Sequence, residues 1–248
     1  MVTGHPIESH PYGIRKSGPE YFSPVKHVDP EMSAPREEDS RFFNGLNGWG
    51  GFLGSDAKRR FDIVMSLLLL IPALPVMLLV MLAIWLSTFG REPVFYHQRR
   101  VGLNSEIFTL KKFRSMQANA EAHGPKTTAE NDRRITRIGR FIRRSRIDEL
   151  PQLFQVLYGE MSLVGPRPER PEFVAHFSQQ IEGYALRHKV KPGVTGLAQV
   201  NYGYGETIED AAFKLLYDLS YIRQGCVRLD LMILLRTIPV VLTGSKAR

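Results

Sequence analysis

The sequence is poor in cysteine and in acidic residues. Its 248 residues include one cysteine, Cys226, and 25 Asp and Glu against 33 Lys and Arg, for a formal net charge of +8. A single cysteine excludes an internal disulfide and a metal site built from cysteines alone, and it favours a reducing, cytosol-facing location. The positive charge predicts an anionic partner, namely a nucleic acid, a phosphorylated substrate or an acidic membrane surface.

A regular apolar period is missing from residues 1–55. This stretch is dense in proline, glycine and histidine, and it buries too little apolar surface to offset the entropy cost of ordering. We therefore expect a disordered N-terminal extension. A signal peptide is not expected, because the first long apolar run comes too late in the chain.

Charged side chains are absent from residues 63–90, a stretch longer than the roughly 20 residues that cross a hydrocarbon core. Pro72 and Pro75 fall near its middle, where each proline removes a helical hydrogen bond. Basic residues flank both ends, and positive charge marks the cytoplasmic side of a membrane. We predict a re-entrant hairpin of two helical arms broken at the prolines. A single transmembrane span and a buried core helix are the alternatives.

Residues 94–116 have the composition of a β-hairpin. Two runs of aromatic and β-branched residues flank a turn of sequence GLNSE. The second predicted strand carries Lys111, Lys112 and Arg114, with successive side chains on opposite faces. These charges either serve a binding site or protect a solvated sheet edge.

A helical period follows in residues 131–150. Ile135, Ile138 and Ile142 recur on one face, with Phe141 beside them. A second face carries only arginines, at Arg133, Arg137, Arg140 and Arg144. We predict a basic amphipathic helix that lies on an anionic membrane surface with its isoleucines at the headgroup boundary.

Two adjacent carboxylates, Asp148 and Glu149, follow this basic run. Nearby arginine keeps an aspartate ionised at neutral pH, and an ionised carboxylate can attack phosphorus. Glu149 supplies an oxygen ligand of the type that Mg²⁺ prefers. Adjacent acids are also common, so the pair alone is more typical of a salt-bridged helix surface than of an active site.

Two loops that contain proline, glycine and basic residues, and two helices, are predicted for the rest of the chain. Prolines on both sides of Arg167 restrict the backbone and can aim its guanidinium at a phosphate. A second loop at residues 187–201 is rich in glycine and basic residues. Residues 208–224 predict an amphipathic helix that contains the sequence YDLSYI, and the apolar tail after it is expected to dock or to lie at an interface.

Taken together, these stretches resemble one family, the bacterial sugar transferases, also called monotopic phosphoglycosyl transferases. The resemblance runs from Lys58 to Thr243 and lies in the order of its motifs, namely KRRFD, the proline-containing apolar run, KKFRSM, RRSRIDELPQLFQVLYGEMSLVGPRP, RHKVKPGVTGLAQVN and YDLSYI. It implies an α+β, mainly helical, membrane-associated fold with a re-entrant helix, a small β-hairpin and amphipathic interfacial helices. Residues 56–91 would be the membrane segment and residues 92–248 the catalytic domain, on the cytoplasmic side of a bacterial inner membrane.

The resemblance also implies a reaction and the residues that perform it. Family members of the exopolysaccharide-priming type move a sugar-1-phosphate from a UDP-sugar to polyprenyl phosphate and release UMP through a phosphosugar-aspartate. On this sequence Asp148 is the implied nucleophile and Glu149 the Mg²⁺ ligand. The implied phosphate-binding residues are Lys112, Arg114, Arg143 and Arg167, while Asp218 has an unassigned role and Pro75 is the implied helix break. A hexose, galactose or glucose, is the expected sugar.

Three features depart from the family pattern: Leu74 precedes Pro75 where serine is common, Leu197 replaces a usual tryptophan, and NYGYG at residues 201–205 replaces NGR.

Two other functions are alternatives to sugar-phosphate transfer. A Mg²⁺-dependent glycosyltransferase would move the sugar alone, but the sequence contains no D-x-D motif. A membrane-anchored basic protein that binds nucleic acid or lipid would explain the charge but not the ordered motifs. We expect no nucleic-acid partner; the oligomeric state is open, a dimer being one possibility.

Overall fold

The computed structural model describes residues 51–118, 120, 132–202, 205 and 207–243. The predicted extension falls almost wholly on residues 1–50, which lie outside the described residues. The described chain is mainly helical, with two small two-stranded sheets. Its helices are α1 (Asp56–Ser87), α2 (Arg137–Arg144), α3 (Gln152–Tyr158), α4 (Pro171–Gln180), α5 (Leu197–Asn201), α6 (Ile208–Gln224) and α7 (Val227–Thr243). Its strands are β1 (Phe95–Val101), β2 (Ile107–Phe113), β3 (Ser162–Val164) and β4 (Gly193–Thr195).

The apolar segment forms one continuous helix, α1. The hydroxyl of Ser55 caps its start by accepting from the Lys58 N–H. The helix continues through Pro72 and Pro75, so the expected division into two separate helical arms is wrong. Leucine, methionine and alanine dominate the stretch and favour helix, and proline often kinks a helix without ending it. Within the described residues, α1 is the one helix long and apolar enough to cross a membrane; its re-entrant path stays a prediction.

One face of α1 packs on the protein along its whole length. Buried residues recur every three or four positions from Lys58 to Ile84, polar at the start and apolar beyond Leu70. The Lys58 ammonium lies 2.8 Å from Asp62 and 2.7 Å from Asp230 of α7. The opposite face exposes large apolar side chains, including Val64, Leu67, Leu68, Ile71, Leu78, Leu79, Leu82, Trp85 and Leu86. One face of α1 is therefore part of the protein core, and the other face is an exposed apolar surface.

The predicted hairpin is confirmed. β1 and β2 pair antiparallel from Phe95 opposite Phe113 to Val101 opposite Ile107. The outer edge of β2 is closed by the side chain of Gln155 in α3, which accepts from the Lys111 N–H at 2.8 Å and donates to the Thr109 carbonyl at 2.9 Å. The amide thus makes the two hydrogen bonds that a neighbouring strand would make.

The helix predicted over residues 131–150 is much shorter. α2 begins after the Thr136 cap, and the chain leaves the helix at Arg146, whose φ is 55°. The orientation also differs from the prediction, because Ile142 is buried in the core while Phe141 is 67% exposed. The close approach of Gly139 to the Ser115 carbonyl, which leaves no room for a Cβ atom, draws the isoleucine face inward. Phe141 faces outward together with three exposed arginines, Arg137, Arg140 and Arg144.

The C-terminal half follows the predicted pattern. α6 has the predicted bounds and begins with a capping box between Thr207 and Asp210. β3 and β4 pair in parallel below the predicted loops. α7 docks through the buried Asp230 and Ile233, and it leaves Leu235 and Ile238 exposed.

Candidate active site

The two adjacent carboxylates lie in a short 3₁₀ turn, Ile147–Glu149, that packs against β2 and α2. Arg146 precedes the turn in the left-handed conformation, which an arginine adopts only at a cost in free energy. That conformation ends α2 and reverses the chain. The turn buries the Asp148 side chain, which is 6% exposed.

Arginines surround Glu149. The Arg167 Nη2 donates to the Glu149 Oε1 at 2.8 Å, and the Arg146 Nη1 lies 3.7 Å from the same oxygen. Burial by itself raises the pKa of Glu149, but the charges of Arg167 and Arg146 outweigh it and hold this pKa well below its usual range. Glu149 is therefore an anion locked to Arg167.

Asp148 titrates in the opposite direction. Burial raises its pKa, and the neighbouring charge of Glu149 raises it further, while Lys112, Arg143 and Arg146 oppose both effects. Burial therefore determines the direction of the pKa shift at Asp148. The sequence had suggested that the nearby arginines would determine it. A desolvated carboxylate close to three cations is a reactive anion that an incoming phosphate can approach without repulsion.

Lys112 and Arg143 supply charge on the Asp148 side. Burial lowers the pKa of Lys112 to about 8, with Asp148 working against the shift. The Lys112 ammonium also lies 5.4 Å from the centre of the Tyr96 ring. Arg143 reaches from α2 to within 3.4 Å of the Ser115 hydroxyl. The structure thus brings together the carboxylate pair and three of the four predicted phosphate-binding residues, Lys112, Arg143 and Arg167.

Arg114 lies apart from this group. Its Nε donates to the Pro93 carbonyl at 2.7 Å, and its Nη1 lies 3.6 Å from Glu92. These contacts tie the end of β2 to the segment that follows α1. A phosphate contact for Arg114 stays a prediction, as does the role of Pro75, which lies within α1.

Three arginines that the sequence did not single out complete the site. Arg146 contacts Glu149, as described above, and Arg100 donates to the carbonyl of Pro168 at 2.9 Å. Arg187 donates to the carbonyl of Arg167 at 3.0 Å and pairs with Asp218 at 2.7 Å. Arg146 could have been found from its position inside the motif. Arg100 and Arg187 act across 68 and 20 residues of sequence, a separation that leaves no periodic signal.

The carboxylate pair suits a magnesium ion that arrives with its substrate. Among the described residues no group of three or more His, Cys, Asp or Glu is placed to hold a metal. Mg²⁺ commonly binds through one or two carboxylates and completes its shell with water and substrate phosphates. Glu149, which also pairs with Arg167, is the carboxylate that would hold such an ion.

Comparison with known proteins identifies the family of the chain. A family profile described as bacterial sugar transferase matches residues 54–244. The UDP-N-acetylgalactosamine-undecaprenyl-phosphate N-acetylgalactosaminephosphotransferase of Aeromonas hydrophila is 44% identical over 191 residues, which are 77% of this chain and 45% of that protein. Two UDP-glucose:undecaprenyl-phosphate glucose-1-phosphate transferases also match. The Escherichia coli K12 protein is 43% identical over 73% of this chain and 39% of its own length, and the Caulobacter vibrioides protein is 41% identical over 77% and 71%.

The chain spans less than half the length of the first two of these relatives and about seven tenths of the third. The profile match nevertheless covers all the described elements from α1 to α7. It includes the carboxylate pair and every cation around it. The chain belongs to the bacterial sugar transferase family.

Proposed function

We propose that the protein transfers a sugar-1-phosphate from a UDP-sugar to a polyprenyl phosphate and releases UMP. The observation that carries this proposal is the buried Asp148, which faces the charges of Lys112, Arg143 and Arg146 beside a Glu149–Arg167 pair. Such a site has an anionic nucleophile and enough positive charge for phosphoryl transfer. The names of the relatives, which act on UDP-sugars and undecaprenyl phosphate, support the choice of both substrates.

In the first step an Asp148 carboxylate oxygen forms a bond to the phosphorus that carries the sugar. The bond from that phosphorus to the bridging oxygen breaks, and UMP leaves with the electron pair. Lys112, Arg143 and Arg167 are placed to neutralise the charge that grows on the phosphoryl oxygens and on the leaving UMP. The product is a phosphosugar esterified to Asp148.

In the second step a phosphate oxygen of the polyprenyl acceptor attacks the same phosphorus. The bond to Asp148 breaks, and the carboxylate is regenerated. A covalent intermediate lets two bulky anionic substrates use one set of cations in turn. Mg²⁺, held by Glu149, would supply additional charge neutralisation for the diphosphate.

The membrane is the source of the acceptor in this proposal. α1 exposes an apolar face along its length, and α2 presents arginines with Phe141. We place the protein at the bacterial inner membrane with residues 92–248 on the cytoplasmic side and α1 entering the bilayer as a re-entrant helix. Positive charge at both ends of α1 supports that topology.

The test uses the purified full chain with undecaprenyl phosphate and separate samples of UDP-glucose, UDP-galactose and UDP-N-acetylgalactosamine. We expect release of UMP with at least one of the two hexose donors. In the absence of acceptor, intact-mass analysis should show a protein adduct of one sugar phosphate. Release of UDP would indicate transfer of the sugar alone, and the absence of any nucleotide product with all three donors would contradict the proposal.

A further inference from the structure

The carboxylate of the YD motif, Asp218, is joined to the active site by a buried arginine. Asp218 lies in the middle of α6 and is 1% exposed; Arg187 lies in the 3₁₀ segment Tyr184–Lys189 and is 3% exposed. The Asp218 Oδ2 and the Arg187 Nη2 are 2.7 Å apart. An ion pair buried this completely is costly to desolvate, so its presence calls for a role beyond stability.

The remaining contacts of Arg187 fix its direction. Its Nη1 donates to the Tyr184 hydroxyl at 2.6 Å, and its guanidinium carbon lies 5.1 Å from the centre of the Tyr184 ring. Its Nη2 donates to the main-chain carbonyl of Arg167 at 3.0 Å. The guanidinium therefore contacts a carboxylate, a phenol and a peptide at once, which a lysine could not do.

The neighbouring carbonyl is held in the same way. Arg100, anchored on Gln98 at 2.7 Å, donates to the carbonyl of Pro168 at 2.9 Å. Two successive peptide carbonyls, those of Arg167 and Pro168, are thus bound by two arginines from different parts of the chain. The main chain that directly follows the Arg167 Cα atom is therefore held at two successive peptides.

We propose that Asp218 is a positioning residue: through Arg187 it fixes the main chain of Arg167, and through Arg167 it places the guanidinium that holds Glu149. This inference rests on the proposed function for its kinetic consequences, but not for its structural ones. In it, Asp218 contacts neither substrate nor the reacting phosphorus. Removing the link lets Arg167 shift away from Glu149, which weakens a cation in the site without altering the nucleophile.

Two variants test the link. Arg187→Lys keeps the buried positive charge for Asp218 but cannot also reach the Arg167 carbonyl, so it should fold normally and lower kcat/KM for UMP release by about 10- to 100-fold. The double variant Asp218→Leu with Arg187→Met replaces the ion pair by apolar groups, so it should be at least as stable thermally as Arg187→Lys and equally impaired. Glu172→Gln, at an exposed position of α4, is the matched control and should behave as the wild type.

A second readout does not depend on turnover. The Glu149 carboxyl is titrated by NMR in protein carrying ¹³C-labelled glutamate, with Glu149→Gln to assign the signal. We expect the pKa of Glu149 to be higher in both test variants than in the wild type, because Arg167 no longer holds the carboxylate.

The possible outcomes distinguish a failure of the proposed transferase function from a failure of the positioning role of Asp218. A wild type that releases no UMP with any donor overturns the proposed function, while the NMR titration still decides the inference. An unchanged Glu149 titration in Arg187→Lys, or a folded double variant with wild-type kcat/KM, overturns the positioning role.

Discussion

Asp148 and Glu149 are neighbours in sequence with opposite titration behaviour. Burial dominates at Asp148 and raises its pKa, whereas the nearby arginines dominate the balance at Glu149 and lower its pKa. Divergent pKa values in one carboxylate pair commonly mark two different chemical roles. Here Arg167 holds Glu149, which leaves Asp148 as the carboxylate available for bond formation.

The first residue-scale prediction concerns the nucleophile. Asp148→Asn keeps the shape of the side chain but removes the attacking charge, so UMP release should fall by at least about 1,000-fold. The sugar-phosphate adduct should disappear at the same time. Glu172→Gln should retain both signals. An adduct that persisted in the Asp148→Asn variant would place the nucleophile elsewhere.

The second residue-scale prediction concerns pH. Asp148 must be ionised to attack, and its raised pKa means that kcat/KM falls with decreasing pH sooner than for an ordinary aspartate. Lys112 must be protonated to neutralise phosphate, and its pKa is about 8, so kcat/KM should also fall as the pH rises through that value. Lys112→Arg should remove the alkaline limb and leave the acid limb in place. An alkaline limb that persists in this variant would assign it to another group.

The sequence predicted the chemical residues better than their supports. Asp148, Glu149, Lys112, Arg143 and Arg167 lie together, and all were singled out from local chemistry or from the family resemblance. The side chain of Arg114, which shares a strand face with Lys112, could not be placed because its partners Glu92 and Pro93 lie across a turn. Contacts such as those of Arg100 and Arg187 depend on chain crossings that no local pattern encodes.

At the scale of elements, the sequence pattern predicted a helix or strand correctly where one face of the element packs on the core and the other faces water. For that reason α6 has its predicted bounds, and the hairpin lies within the predicted residues 94–116, with a second strand that ends at Phe113. The period at residues 131–150 predicted too long a helix, because the left-handed Arg146 ends α2 early. It also predicted a membrane role for isoleucines that the protein itself covers. Amphipathicity indicates that a face is buried, but not by what.

Gln155 gives an element-scale prediction. Replacing it with leucine keeps the volume but leaves the Lys111 N–H and the Thr109 carbonyl without protein partners at the partly buried edge of β2. Each buried group left unsatisfied costs about 1–3 kcal/mol, so the melting temperature should fall clearly. Gln155→Glu retains an acceptor for the Lys111 N–H but loses both donors and brings a buried charge next to Glu160, so its melting temperature should fall at least as far. Equal stability of Gln155→Leu and the wild type would show that the edge is solvated.

The path of α1 gives a second element-scale prediction. In a Cys226→Ser background, single cysteines at positions 57 and 90 should both react with a membrane-impermeant maleimide only after the cytoplasmic side is opened. This follows from the basic residues at both ends of the helix. Labelling of the two positions from opposite sides would instead establish a transmembrane span.

At the scale of the whole molecule, α1 is part of the core as well as an apolar surface. Its residues from Leu70 to Ile84 join the same buried cluster as Phe113 of the hairpin and Ile142 of α2. A chain lacking residues 1–91 should therefore be insoluble or unfolded by circular dichroism. A chain lacking only residues 1–50 should keep its stability and UMP release. A folded, soluble chain without residues 1–91 would show that the helix is only an anchor.

The contacts at the first turn of α1 also fix the position of this helix relative to the turn that carries Asp148. Lys58 ties this turn to Asp230 of α7, and Arg59 donates to the Val156 and Leu157 carbonyls at the end of α3. Since the turn that carries Asp148 precedes α3 directly, the depth to which α1 enters a bilayer fixes the height of the nucleophile above the lipid. In the proposed reaction the acceptor phosphate lies at headgroup level, at a height that the lipid sets. The enzyme would thus be sensitive to bilayer thickness, so that the same chain should turn over at different rates in short-chain and long-chain lipids of identical charge.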